Sequence, residues 1–102
     1  MINKKVRLYY EFSKQEYYGL ITVSTDLTRD CVYDAAKVYS ETVGGETPEE
    51  VLSEGEPELV TREYAFWKLA NSKYGRDITF NEFMKEFFEC ENTALLVDGS
   101  LV

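Results

Sequence analysis

Asp26, Asp30 and Asp34 fall four residues apart in a stretch of helical periodicity, which puts their carboxylates on one helix face. Asp30 with Asp34 is the kind of pair that holds Mg²⁺ or divides general acid and base work. An acidic stripe opposite an apolar one is also what an ordinary solvated amphipathic helix displays, and that is the preferred reading. The rest of the chain offers such chemistry no support. It has no histidine, so the commonest general base and every imidazole metal site are missing. Cys31 and Cys90 are isolated in sequence, which does not suit a thiolate metal site, and they read as small buried hydrophobes in a reduced protein. There is no glycine-rich phosphate loop and no nucleophile elbow, and Asp98-Gly99 opens no calcium-ligand series. The expectation is a protein that is not an enzyme, with no catalytic residues, no metal and no cofactor.

What the chain does carry is negative charge in blocks. Its 19 Asp and Glu against 11 Lys and Arg give a net charge of -8. Between Glu41 and Glu63 stand eight carboxylates and one cation, Arg62; between Asp77 and Asp98 stand six carboxylates against Lys85. Such a field repels nucleic acid and anionic membrane and attracts basic protein surfaces. No apolar run reaches the roughly 18 residues a membrane helix needs, and Met1-Ile2-Asn3-Lys4-Lys5 leads into an alternating segment without a signal-peptide core, so a cytoplasmic location is expected.

The elements that must position these charges follow from periodicity. Val6, Leu8, Tyr10 and Phe12 alternate with Lys5, Arg7, Tyr9 and Glu11, a half-buried strand. Ser13-Lys14-Gln15-Glu16 connects it to a second strand over Tyr17–Ser24, in which either Tyr17/Gly19/Ile21/Val23 or Tyr18/Leu20 faces inward. Leu27, Cys31, Ala35, Val38 and Tyr39 form a helical stripe that stops at Gly44-Gly45, with Asp26, Asp30, Asp34 and Glu41 opposite. Residues 44–58 read as an exposed acidic excursion, in which Thr47-Pro48-Glu49-Glu50 starts one short helix through Val51 and Leu52. A third helix is expected from Pro57 or Thr61 to Tyr74-Gly75, with Leu59, Phe66, Trp67, Ala70 and Tyr74 as its apolar face. Ile78, Thr79, Glu82 and Phe83 carry a capping box and hydrophobic staple for a fourth, whose Phe80, Phe83, Met84, Phe87 and Phe88 share one face. Thr93–Val97 is a last strand. The whole is read as one α+β domain over residues 1–102: a small antiparallel sheet of the N-terminal β-hairpin plus the C-terminal strand, covered on one face by three to four helices.

Two further patterns bear on partners. The cations Lys4, Lys5, Arg7 and Lys14, with Lys68, Lys73 and Arg76, are read as protecting an edge strand and complementing a helix C-terminus. The eight tyrosines cannot all face one core, so Tyr9 and one of Tyr17 and Tyr18 are expected at the surface, where aromatics favour interfaces. The helices on either side of Gly75-Arg76-Asp77-Ile78 look like a helix-turn-helix, but the second presents Glu82, Glu86 and Glu89 and would be repelled by phosphate.

In size and charge the chain is similar to the small acidic inhibitors of phages and mobile elements, the anti-CRISPR and anti-restriction proteins. That likeness implies DNA mimicry. Carboxylates four residues apart on a helix lie about 6 Å apart along its axis, while a DNA strand carries a phosphate about every 3.4 Å. The leading expectation is a protein that binds and inhibits or regulates a nuclease or other DNA-binding protein through that partner's basic surface. Asp26, Asp30, Asp34, Glu46, Glu49, Glu50, Glu54, Glu56, Glu82, Glu86 and Glu89 would carry the contact, with Tyr33 as an anchor, and no nucleic acid or membrane would be bound directly. The alternative is a non-catalytic oligomerisation or accessory subunit, a homodimer among its forms, that uses the hairpin edge and exposed tyrosines.

Overall fold

A computed structural model of the chain describes residues 6–15, 17–25, 31–72, 78–89 and 92–97. Strands β1 (Val6–Phe12) and β2 (Gly19–Thr25) form the hairpin, paired from Val6↔Thr25 to Phe12↔Gly19. Helices α1 (Cys31–Thr42) and α2 (Pro48–Glu54) follow, then a three-residue strand β3 (Glu58–Val60), helices α3 (Arg62–Ala70) and α4 (Phe80–Glu89), and strand β4 (Thr93–Val97). The sheet is antiparallel in the order β3-β1-β2-β4. The α+β class is as expected, and the C-terminal strand does join the hairpin.

Helices cover both faces of this sheet, not one. On the first face Tyr10, Phe12, Ile21 and Val23 pack under Ala35, Ala36, Val38 and Tyr39 of α1 and Val51 of α2. On the second, Tyr9, Leu20 and Leu96 pack under Ala65 and Leu69 of α3 and Phe83 and Phe87 of α4. The open question of which β2 side chains face inward is thereby answered: Ile21 and Val23 enter the first core and Leu20 the second, because a strand between two helical layers has no solvent face, while Tyr17 precedes the strand and is exposed. Tyr9, expected at the surface, is 3% exposed and stacks on Phe87. The bulge opposite Leu20/Ile21 serves the same arrangement. Ile21 pairs with Ala94 and Leu20 with Leu96, so Leu95 is the extra residue and Leu96 turns to the face opposite Ala94.

The short polar motifs act as read. Thr47 Oγ1 accepts from the Glu50 amide, Thr61 Oγ1 from Tyr64 and Thr79 Oγ1 from Glu82, so each cap fixes the start of its helix. Residues 44–58 are less exposed than expected, because α2 buries Val51 in the first core and Gln15 donates to the Val51 and Gly55 carbonyls at 2.9 and 2.5 Å. The third helix differs in its buried side. Ala65 and Leu69 face the core; Leu59 lies in β3 at 61% exposure and Trp67 on the outer side at 58%. On α4 only Phe83 and Phe87 are buried, while Phe80 is 69% exposed. The proposed role of the N-terminal cations also changes: β1 lies inside the sheet, and Arg7 donates to the Phe88 carbonyl at the C-terminus of α4.

One glycine is required by a close approach. A Cβ on Gly19 would lie 2.8 Å from Cε2 of Tyr39, whose ring also packs on Phe12 and whose hydroxyl donates to the Tyr17 carbonyl. Gly19→Ala is expected to cost about 1–3 kcal/mol by overpacking, read as a lower urea midpoint.

Candidate interaction surface

Helices α1 and α2 form one continuous acidic layer. Residues 31–57 carry seven carboxylates, Asp34, Glu41, Glu46, Glu49, Glu50, Glu54 and Glu56, against the single cation Lys37. The Tyr33 hydroxyl donates to Glu49 Oε1 at 2.9 Å and so ties the outer faces of the two helices together. Glu49 is held below the usual carboxylate range, first by its own backbone amide and then by the Tyr33 hydroxyl, while the same bond pushes the Tyr33 phenol up. Glu49 thus keeps its charge under mild acid. Glu46, Glu50, Glu54 and Glu56 are exposed, and none has an ion-pair partner among the described residues.

The other anticipated site residues are not part of this layer. Glu82, Glu86 and Glu89 are exposed on α4, across the sheet from α1 and α2, so one partner surface cannot lie flat on both sets. Asp26 and Asp30 lie outside the described residues, as do Cys90 and the cations Lys4, Lys5, Lys73 and Arg76. Cys31 is half-buried against the first core. Among the described residues no three metal-ligating side chains converge.

Sequence reasoning missed a polar cluster at the edge of the second core. Glu11 Oε2 accepts from the Tyr18 hydroxyl at 2.6 Å and from the Tyr64 hydroxyl at 2.8 Å, and Lys68 Nζ lies 3.9 Å away. The lysine sits 5.4 Å from the centre of the Tyr18 ring and 6.0 Å from that of Tyr64. Burial, then the bond to Glu11, pushes the Tyr18 phenol well above its ordinary value; for Tyr64 the Glu11 bond is the main cause. Both phenols therefore stay protonated, the opposite of what a phenolate base needs, and the cluster is a structural clasp between β1, the strand connection and α3. Glu11→Ala is expected to cost about 2 kcal/mol, since two hydroxyls lose a charged acceptor. The phenol shifts also predict alkaline instability. Below about pH 10 folded and unfolded chains both keep these protons and the contribution is complete; as pH rises further the unfolded chain ionises first and the contribution is lost. Denaturation from pH 8 to 11 should show this decline, with a shallower slope in Glu11→Ala.

Residues 7–96 match the family model of the YosH C-terminal domain, a span that runs from β1 into β4 and includes both helical layers. The chain belongs to that family. The matched span contains the α1–α2 acidic layer and the Glu11 clasp alike. Neither curated proteins nor solved structures gave a match. Among the described residues of this family member, no helix is long and apolar enough to cross a membrane.

Proposed function

We propose that this chain is a non-catalytic, cytoplasmic binding module whose α1–α2 face occupies a basic, nucleic-acid-binding surface of a partner protein and so inhibits or regulates it. The observation that carries the reading is where two exposed glutamates sit. Glu41 lies in the last turn of α1 and Glu54 ends α2, and neither last turn contains a basic residue. Carboxylates there oppose the helix dipole and cost stability, whereas Glu49 and Glu50 in the first turn of α2 are favoured by it. Helix stabilisation accounts for Glu49 and Glu50 and leaves Glu41 and Glu54 unexplained; a field directed at a basic partner accounts for all four. Inhibition by DNA mimicry, of the anti-CRISPR or anti-restriction kind, is the form of regulation that such a field suits.

Capture from host-cell lysate on the immobilised full chain, washed at rising salt, tests this. The expected result is retention of a basic DNA-binding protein that elutes between moderate and high salt, because the attraction is screened within about 8–10 Å at physiological ionic strength. A partner retained at high salt, or none at any salt, contradicts it. The assembly alternative would draw on Tyr17 and Tyr33, which are exposed, rather than on Tyr9, which is buried, and on hairpin strands that pair outward with β3 and β4.

A further inference from the structure

Helix α2 cannot hold itself in place. At 7 residues it is well below the roughly 12–15 at which an isolated helix becomes even marginal. It stands between Gly45 and Gly55, both at positive φ (101° and 150°), so its position is set by what it touches. Val51 enters the first core, and Tyr33 grips Glu49 at the N-terminal end. The C-terminal end is held by Gln15, from the connection between β1 and β2. Its amide nitrogen donates to the carbonyls of Val51 and Gly55. Val51 is among the last four residues of α2, whose carbonyls have no partner within a helix. The connection also lies against Gly55, where a Cβ would come 2.6 Å from that of Lys14, and its Tyr17 carbonyl accepts from Tyr39 of α1. Both helices of the acidic layer are therefore tied to this connection.

Gln15 is 7% exposed, and its side-chain oxygen is buried with no hydrogen-bond partner among the described residues. An unpaired buried oxygen is destabilising. An apolar side chain of the same length would fill the space without it, so what glutamine adds is the pair of donors.

We propose that the β1–β2 connection controls the acidic α1–α2 face, with Gln15 as the positioning residue that sets the direction in which α2 presents Glu49, Glu50 and Glu54 to a partner. Val51 alone would leave α2 free to roll about one buried side chain; polar ties at both ends fix it. Loss of the Gln15 tie moves α2, scatters part of the negative field, and weakens the Tyr33–Glu49 bond at the other end, although Gln15 bonds to neither residue. The consequence for binding rests on the function proposed above; the coupling itself does not.

The test compares the full chain with its Gln15→Met and Tyr33→Phe variants. The titration of the Glu49 carboxyl, followed by side-chain ¹³C NMR, should move up in both, because both take the Tyr33 hydroxyl away from Glu49. Amide hydrogen exchange at Val51 and Gly55, whose N–H groups donate to the Thr47 and Leu52 carbonyls, should be about tenfold faster or more in Gln15→Met, with Ile21 and Val23 on β2 unchanged. A basic partner captured on the parent chain should bind Gln15→Met about tenfold more weakly or worse. An unmoved Glu49 titration overturns the proposal. So does exchange accelerated equally in α2 and β2, since Gln15 would then only stabilise the domain as a whole. Equal partner affinity in a Gln15→Met chain whose Glu49 has moved overturns it too. Failure of the parent chain to capture any basic partner counts against the proposed function instead, and the Glu49 and exchange measurements then still decide the coupling.

Discussion

Glu41→Lys/Glu46→Lys/Glu54→Lys is expected to weaken binding to a captured basic partner by about 100-fold or more while leaving the fold intact. The three positions are exposed on the α1–α2 layer and lie outside the first helical turns, where an acid also serves the helix. Reversal at Glu41 and Glu54 removes an unfavourable charge from a helix C-terminus, a gain of about 0.3–1 kcal/mol at each. The variant should therefore melt no lower than the parent chain, which separates lost binding from lost structure. Glu89→Lys is the matched control, because it relieves the same kind of clash in the last turn of α4 but on the opposite side of the sheet. It should bind like the parent. If the triple variant binds as tightly as the parent chain, or if Glu89→Lys weakens binding as much, the acid of α1–α2 is a solvated surface.

The largest effect on stability is expected at Phe87. Its side chain is 1% exposed and contacts four rings: it stacks with Tyr9 at 5.7 Å and Phe83 at 6.2 Å, and meets Phe66 at 5.1 Å and Phe88 at 5.2 Å edge-on. Phe87→Ala removes the hub of the second core and should cost about 3–5 kcal/mol, a large part of the roughly 5–15 kcal/mol that holds a domain folded. Phe80→Ala, seven residues earlier on the same helix but at a position 69% exposed, should change stability by no more than about 0.5 kcal/mol. Urea denaturation followed by far-ultraviolet circular dichroism reads both. Similar midpoints for the two variants would mean that α4 does not pack through Phe87 as described.

These two residues also show where sequence reading reached its limit. Phe80, Phe83, Phe87 and Phe88 all belong to one apolar helical stripe, and periodicity alone does not divide the stripe into centre and rim. Local hydrogen-bond chemistry was legible: Thr47 and Thr79 cap their helices as their neighbours required, and the hairpin and its C-terminal partner strand follow from alternation and β-branched content. The two-sided burial of the sheet had a signal in the adjacent Leu20 and Ile21. It competed with Tyr9, whose hydroxyl suits a surface position as well as a core. Strand β3 had none, since three residues without a turn signature become a strand only by pairing with β1, some 50 positions earlier. A similar distance hid the Glu11 clasp, whose partners Tyr64 and Lys68 lie more than 50 positions away and join the nearby Tyr18 only after folding. Among the acids, sequence identified the charge of Glu46, Glu49, Glu50, Glu54 and Glu56 but not its division: the tertiary fold sets Glu82, Glu86 and Glu89 on the far side of the sheet.

Competition by duplex DNA tests the central claim most directly. A captured partner is held on the immobilised full chain at low salt, and a duplex of about 20 base pairs is titrated in while the released partner is measured. Displacement of the partner at DNA concentrations matching its own DNA affinity, and no displacement by an uncharged polymer, is the predicted result. A ternary complex in which the partner holds DNA and the chain at once would contradict it, because the α1–α2 face would then lie outside the nucleic-acid site.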